Sequence, residues 1–282
     1  MLFSALSALA FGISAALAAP YHNHTVASIC GSEPSAEFVA AAEAHFAANK
    51  ISPKAGAKAT INVYWHVVQN GTTRAQGNVP DSQIRASISA INSHFSGSGL
   101  SFKLARTDRT TNVTWFNRAG PVGPDQAEMK NALHKGGAAD LNIYSVGFTS
   151  WTGIIGYATF PSSYSENPKD DGVVFLHSTV PGGSFPGRNE GKLLTHEVGH
   201  WLGLYHTFQG GCSGAGDEVS DTPPQESSSS GCPIGRDTCP DGGVDPIHNY
   251  MDYSSDTCRT EFTDGQITRI KSQIATYRGI NA

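Results

Sequence analysis

The stretch His196-Glu197-Val198-Gly199-His200-Trp201-Leu202-Gly203-Leu204-Tyr205-His206 gathers three imidazoles and a carboxylate in one short segment. His196 and His200 are four apart, so on an α-helix they share a face about 6 Å from each other and can hold one ion between them. Glu197 is rotated by about 100° from His196, which sets its carboxylate beside such an ion rather than on it. A helix continued past His200 would carry His206 about 9 Å further along the axis. Gly203 supplies a stop, because glycine enters the left-handed conformation that ends helices without steric cost, and the third histidine can then fold back. Three neutral imidazoles suit zinc and leave it a fourth, open position, whereas a structural zinc is closed by four ligands, usually with cysteines among them. Zinc in an open site draws the pKa of water from 15.7 towards about 7 and polarises a carbonyl, while Glu197 can accept the water's proton and pass it to a leaving amine. Hydrolysis of an amide is the chemistry this segment implies.

The elements around it must hold that helix rigid. Ala59 to Val68 alternates apolar residues at period two and is rich in β-branched and aromatic types, which predicts a strand. Ile84, Ile88, Ile91 and Phe95 follow Pro80 and Asp81 at helical spacing. Further strands are expected at Leu100 to Thr107, Leu141 to Phe148 and Gly172 to Val180, with a helix around Gln126 to His134. Gly153 to Pro161, with two glycines and a terminal proline, has the pattern of an irregular edge strand, to which an extended peptide could add by β-augmentation. The metal-binding helix is expected over Gly191 to Leu202, and a last helix, capped by Thr263, carries Ile267, Ile270, Ile274 and Tyr277. This order gives an α/β (α+β) class with a mixed sheet. Between Gly210 and about Asp264 the chain turns to Gly, Ser, Pro, Asp and Cys, the composition of loops.

The 282 residues, 39% of them hydrophobic, suffice for a substantial core in one domain or two lobes. A net charge of −5 offers no basic footprint for nucleic acid or an anionic membrane. Residues 1–18 are apolar, rich in small side chains and end in Ala16-Leu17-Ala18, so they read as a secretory signal despite lacking an early Lys or Arg; a membrane anchor is the alternative reading. Secretion agrees with sequons at Asn23, Asn70 and Asn112. Residues 19–55 are Ala-rich, with a helical period after Ser35, and are expected to form a pro-like segment ahead of a domain at 56–282.

Five cysteines leave one odd. Cys212, Cys232, Cys239 and Cys258 cluster in the loop-rich region, which has little regular structure and would gain from cross-links; three pairings are open. Cys30 precedes them in the pro-like segment. Its thiolate could fill the open zinc position and keep the chain latent, or it could be a passive thiol. Asp217, Glu218 and Asp221 could hold calcium or form a solvated acidic loop.

His196-Glu197-x-x-His200-x-x-Gly203-x-x-His206, with the later Asn249-Tyr250-Met251-Asp252-Tyr253, resembles the metzincin zinc endopeptidases. Within that clan the segments around Ser220-Asp221-Thr222-Pro223-Pro224 and Asp245 to Cys258 resemble the pappalysin family, including its small secreted microbial and fungal members. The resemblance implies a two-lobed catalytic domain about a substrate cleft, with a mixed twisted sheet, backing and active-site helices and an irregular disulfide-linked C-terminal lobe. It implies His196, His200 and His206 as zinc ligands, Glu197 as general base, Met251 as the apolar floor beneath them and Tyr253 as stabiliser of the reaction intermediate. It also implies Cys212–Cys239 and Cys232–Cys258 as the disulfides and Cys30 as a cysteine switch. A secreted monomer acting on protein or peptide substrates is expected.

Overall fold

The computed structural model describes residues 29–54 and 56–282; the expected signal at 1–18 and the Asn23 sequon lie outside them. Five strands, β1 (Ala59–Gln69), β2 (Leu100–Thr111), β3 (Leu141–Val146), β4 (Gly156–Ala158) and β5 (Val173–Leu176), form one sheet in the order β2-β1-β3-β5-β4. All neighbours run parallel except β4, which is antiparallel to β5 and takes the edge. Parallel strands are covered on both faces, which is why β3 is buried along its whole length.

One face of β1 presents Ile61, Val63, Trp65 and Val67 to a core shared with Ile84, Ile88 and Ile91 of α2 (Asp81–His94). The same core takes Leu194, Val198 and Trp201 of the histidine helix, α5 (Lys192–Trp201), and Ile270 and Ile274 of α6 (Asp264–Arg278). The opposite face, with Val68, Tyr144, Val146 and Val174, is closed by Phe116 of α3 (Val113–Arg118) and Met129 of α4 (Pro124–Leu133). Helix α1 (Ala36–Asn49), capped by Ser35 on the Phe38 amide, buries Phe46 and leaves most of its surface exposed.

Three expectations need correction. The strand expected to Val180 ends at Leu176, because His177–Thr179 forms a 3-10 turn in which the Thr179 hydroxyl donates to the Leu176 carbonyl at 2.8 Å. The edge strand shrinks from Gly153–Pro161 to three residues, bounded by Pro161 and by the Gly153 turn at φ +88°. Helix α3 is too short to show a period and was not expected; Asn112 makes it by accepting from the Trp115 amide at 3.0 Å. Its carboxamide oxygen is therefore committed, whereas Asn70 is exposed at the end of β1.

Between α5 and α6 the described chain has no helix or strand longer than an isolated bridge. Cys212–Cys239 and Cys232–Cys258 bind these loops together. A buried ion pair fastens α6 to the sheet: Arg278 meets Asp171 at 2.9 and 3.0 Å, and Asp171 also accepts from the Trp201 indole at 2.8 Å.

Candidate active site

Helix α5 is buried from Leu193 to Trp201, so its histidines are shielded from the surface. Gly203 ends it at φ +105°, with the Leu204 amide donating back to the Gly199 carbonyl at 3.0 Å. Any side chain at Gly203 would be strained and would also strike Gln273 of α6. The reversal returns His206 to the other two rings: the three Nε2 atoms form a triangle with edges of 3.1 and 3.2 Å.

The other ring nitrogens explain the orientation. His196 Nδ1 lies 2.7 Å from the Tyr250 carbonyl and His200 Nδ1 lies 2.8 Å from the Leu204 carbonyl. Carbonyls only accept, so both Nδ1 atoms donate and leave Nε2 a bare lone pair. Burial, then mutual repulsion, pushes His196 and His206 well below the usual imidazole range, and burial takes His200 to about 4, so all three are neutral. Converging lone pairs without a proton repel one another unless a cation lies between them. The triangle's corners lie about 1.8 Å from its centre, a size that suits the ~2.0–2.1 Å of zinc–imidazole bonds. The donor set therefore fits zinc.

Glu197 sits beside the triangle, wholly buried, its carboxyl pushed up to about 8 by burial. Among the described residues no donor meets its Oε1, and its Oε2 lies 3.4 Å from Cys30 Sγ. The approach of β4 is what closes it in: a Cβ on Gly156 would lie 2.5 Å from Glu197 Oε1. Gly199 has the matching role below, where a Cβ would meet Met251 Sδ at 2.5 Å. Met251 is buried directly under the helix, and the Tyr253 ring packs 5.7 Å from that of His196 and 5.0 Å from that of His206.

Cys30, far away in sequence, comes to the same point. Its Sγ is 3.5 Å from His200 Nε2, and it groups with His196, His200 and His206 as a four-donor set. Burial and the neighbouring carboxyl push this thiol well up. The flanking backbone pairs with the edge strand, the Gly31 amide donating to the Gly156 carbonyl and the Ile155 amide to the Ile29 carbonyl, both at 2.8 Å. The Tyr253 hydroxyl lies 3.4 Å from the Cys30 carbonyl.

The acidic stretch divides. Asp221 is spent on the start of α6, accepting from the Thr263 hydroxyl and the Gly265 amide at 2.7 and 2.8 Å. Asp217 is buried, its Oδ1 accepting from the Val219 amide at 3.1 Å. Sequence reasoning missed Gly156, the Tyr250 carbonyl, and Phe160, whose ring edges onto His200 at 5.4 Å. A glycine inside a strand pattern is a signal of close backbone approach, so Gly156 was open to detection; the other two depend on chain segments that meet only in the fold.

Residues 141–275 match the peptidase M43 family, described as pregnancy-associated plasma protein-A. The chain is 50% identical over 261 residues to the extracellular metalloprotease of Verticillium alfalfae, covering 88% of this chain and 89% of that one. It is 46% identical over 276 residues to extracellular metalloprotease 1 of Coccidioides posadasii, covering 96% of each. Among solved structures, a Tannerella forsythia promirolysin mutant matches with a TM-score of 0.72 and 27% identity over 88% of this chain and 94% of that one. Mature mirolysin in complex with a cleaved peptide matches at 0.63 and 30% identity, over 78% and 92%. Fold and relatives together define a zinc metalloendopeptidase of metzincin type. The chain belongs to the pappalysin family, M43. No helix among the described residues is long and apolar enough to cross a membrane.

Proposed function

We propose that the chain is a secreted, latent precursor with a signal at 1–18, a pro-segment at 19–55 and a catalytic domain at 56–282, which hydrolyses peptide bonds in extracellular proteins. The observation that carries this reading is the meeting of three imidazole Nε2 atoms, the Glu197 carboxyl and the Cys30 thiol at one buried point. His196, His200 and His206 would hold zinc. Zinc, when bound, supplies a Lewis acid for the scissile carbonyl and lowers the pKa of water.

Glu197 Oε1, the oxygen not engaged by a donor, takes the proton of the attacking water and delivers it to the leaving nitrogen. Tyr253 stands where a peptide carbonyl can be met: the Cys30 carbonyl beside its hydroxyl marks the place of a substrate carbonyl, towards which that hydroxyl donates as charge develops. Met251 fixes the height of the helix through Gly199. The edge of β4 aligns an extended substrate by main-chain hydrogen bonds, as it now aligns residues 29–31. Cys30 closes the site until the pro-segment is cut away.

Glu197→Gln and His200→Ala separate base from ligand. After activation, Glu197→Gln retains zinc while turnover of a protein substrate falls by roughly 10²–10⁴-fold, the usual worth of a general base. His200→Ala loses the metal. Zinc loss from a folded Glu197→Gln protein, or turnover within tenfold of wild type, would refute the assignment.

A further inference from the structure

Glu43, on α1, ends in a site built entirely by the expected catalytic domain. Arg269 of α6 grips its carboxylate with both terminal nitrogens, Nη2 to Oε1 at 2.5 Å and Nη1 to Oε2 at 3.1 Å. The Tyr205 hydroxyl donates to the same Oε1 at 2.9 Å. Phe46 of α1 also lies 5.8 Å from the Arg269 guanidinium, but Arg269 keeps anchors that α1 does not supply. Arg269 Nε is anchored on the Gly203 carbonyl at 2.9 Å, and its guanidinium lies 4.9 Å over the Tyr205 ring. A planar fork and a phenolic donor converging on one carboxylate is a receptor geometry, more specific than a single charge.

The site adjoins the histidine triangle. Tyr205 lies between His200 and His206 in the chain, and Phe160 spans from the His200 ring at 5.4 Å to the Tyr205 ring at 5.3 Å. The Tyr205 ring is thus within about 11 Å of the metal triangle's nearest ring, three to four residues of extended peptide at ~3.3 Å each. The pro-segment takes this route, from Cys30 on β4 past Phe38, whose ring is 6.0 Å from Phe160, to Glu43.

We propose that Arg269 and Tyr205 form a carboxylate receptor which, once the segment carrying Glu43 has left, takes an Asp or Glu side chain of a protein substrate. This rests on the reading of residues 19–55 as a removable pro-segment. The receptor makes the enzyme prefer substrates with an acidic residue a few positions from the cleaved bond.

The test uses the full chain after activation and peptides of one cleavage site, amidated at the C-terminus, with Glu or Gln at each of the two to six positions on either side. At one position the Glu peptide should exceed its Gln twin at least fivefold in kcat/KM, through KM. That ratio should fall to about one in Arg269→Gln, and to an intermediate value in Tyr205→Phe and Arg269→Lys. A second measurement needs no turnover and no enzyme variant. A fluorescent peptide of residues 36–49 should bind the activated wild-type protein at least fivefold more tightly than its Glu43→Gln form. A wild-type ratio near one at every position, a preference that survives in Arg269→Gln, or equal binding of the two 36–49 peptides overturns the proposal. If no peptide is cleaved while the 36–49 peptides still differ, the hydrolase reading fails and the receptor stands.

Discussion

Gly156→Ala probes how closely the edge strand determines the chemistry. Gly156 is extended, so alanine meets no backbone strain there, and the whole effect comes from one methyl group. That methyl would lie 2.5 Å from Glu197 Oε1, 2.9 Å from Cδ and 3.0 Å from Cγ. Ordinary contact begins near 3.4 Å, so the carboxyl must retreat by about 1 Å inside a fully buried site. A catalytic group misplaced by about 1 Å costs on the order of 10²-fold in rate, which is about 2.7 kcal/mol at 1.36 kcal/mol per decade. The expected result is a kcat lowered about a hundredfold on a quenched fluorescent peptide, with zinc content unchanged. Gly199→Ala is the comparison: its methyl would strike Met251 Sδ and disturb the floor under all three ligands, so zinc retention should weaken as well. A Gly156→Ala enzyme with kcat within threefold of wild type, or one that has lost its zinc, would refute the reasoning.

Other consequences are open to measurement. Unprocessed Cys30→Ala should cleave a peptide that unprocessed wild type does not; equal activity of the two would remove Cys30 as the latch. Asp171→Ala strands the buried Arg278 guanidinium and the Trp201 indole, and breaking such a pair costs roughly 3–5 kcal/mol, read as a lower urea midpoint. Asp217 is held up to about 7 by burial, so between the ordinary carboxylate range and pH 7 the folded state binds more protons than the unfolded one. Its contribution therefore makes stability fall as pH rises through that window, and Asp217→Asn, which can still accept from the Val219 amide, should flatten the slope and be the more stable form at pH 8. An unchanged slope in denaturation series from pH 4 to 8 would count against it.

Much of the site was legible because it is local. Four-residue spacing places His196 and His200 on one face whatever surrounds them, and Gly203 permits the reversal that no other residue makes without strain. The β-branched alternation of Ala59 to Val68 and the isoleucine period of α2 are equally local, and both elements form where expected. The six-residue α3 was not legible, having fewer residues than a period needs to show itself, and of β4 the edge strand was legible but not its three-residue extent.

What the sequence could not state is which distant groups meet. The Tyr250 carbonyl that fixes the His196 tautomer, the Gly156 backbone that crowds Glu197, the Cys30 thiol 170 residues from His200 and the Glu43 carboxylate on Arg269 all reach their partners across the fold. Periodicity is a property of consecutive residues, set by helix and strand geometry. These meetings depend on where parallel strands, a reversed edge strand and two cross-linked loops bring the chain back on itself, and no spacing in the sequence records that.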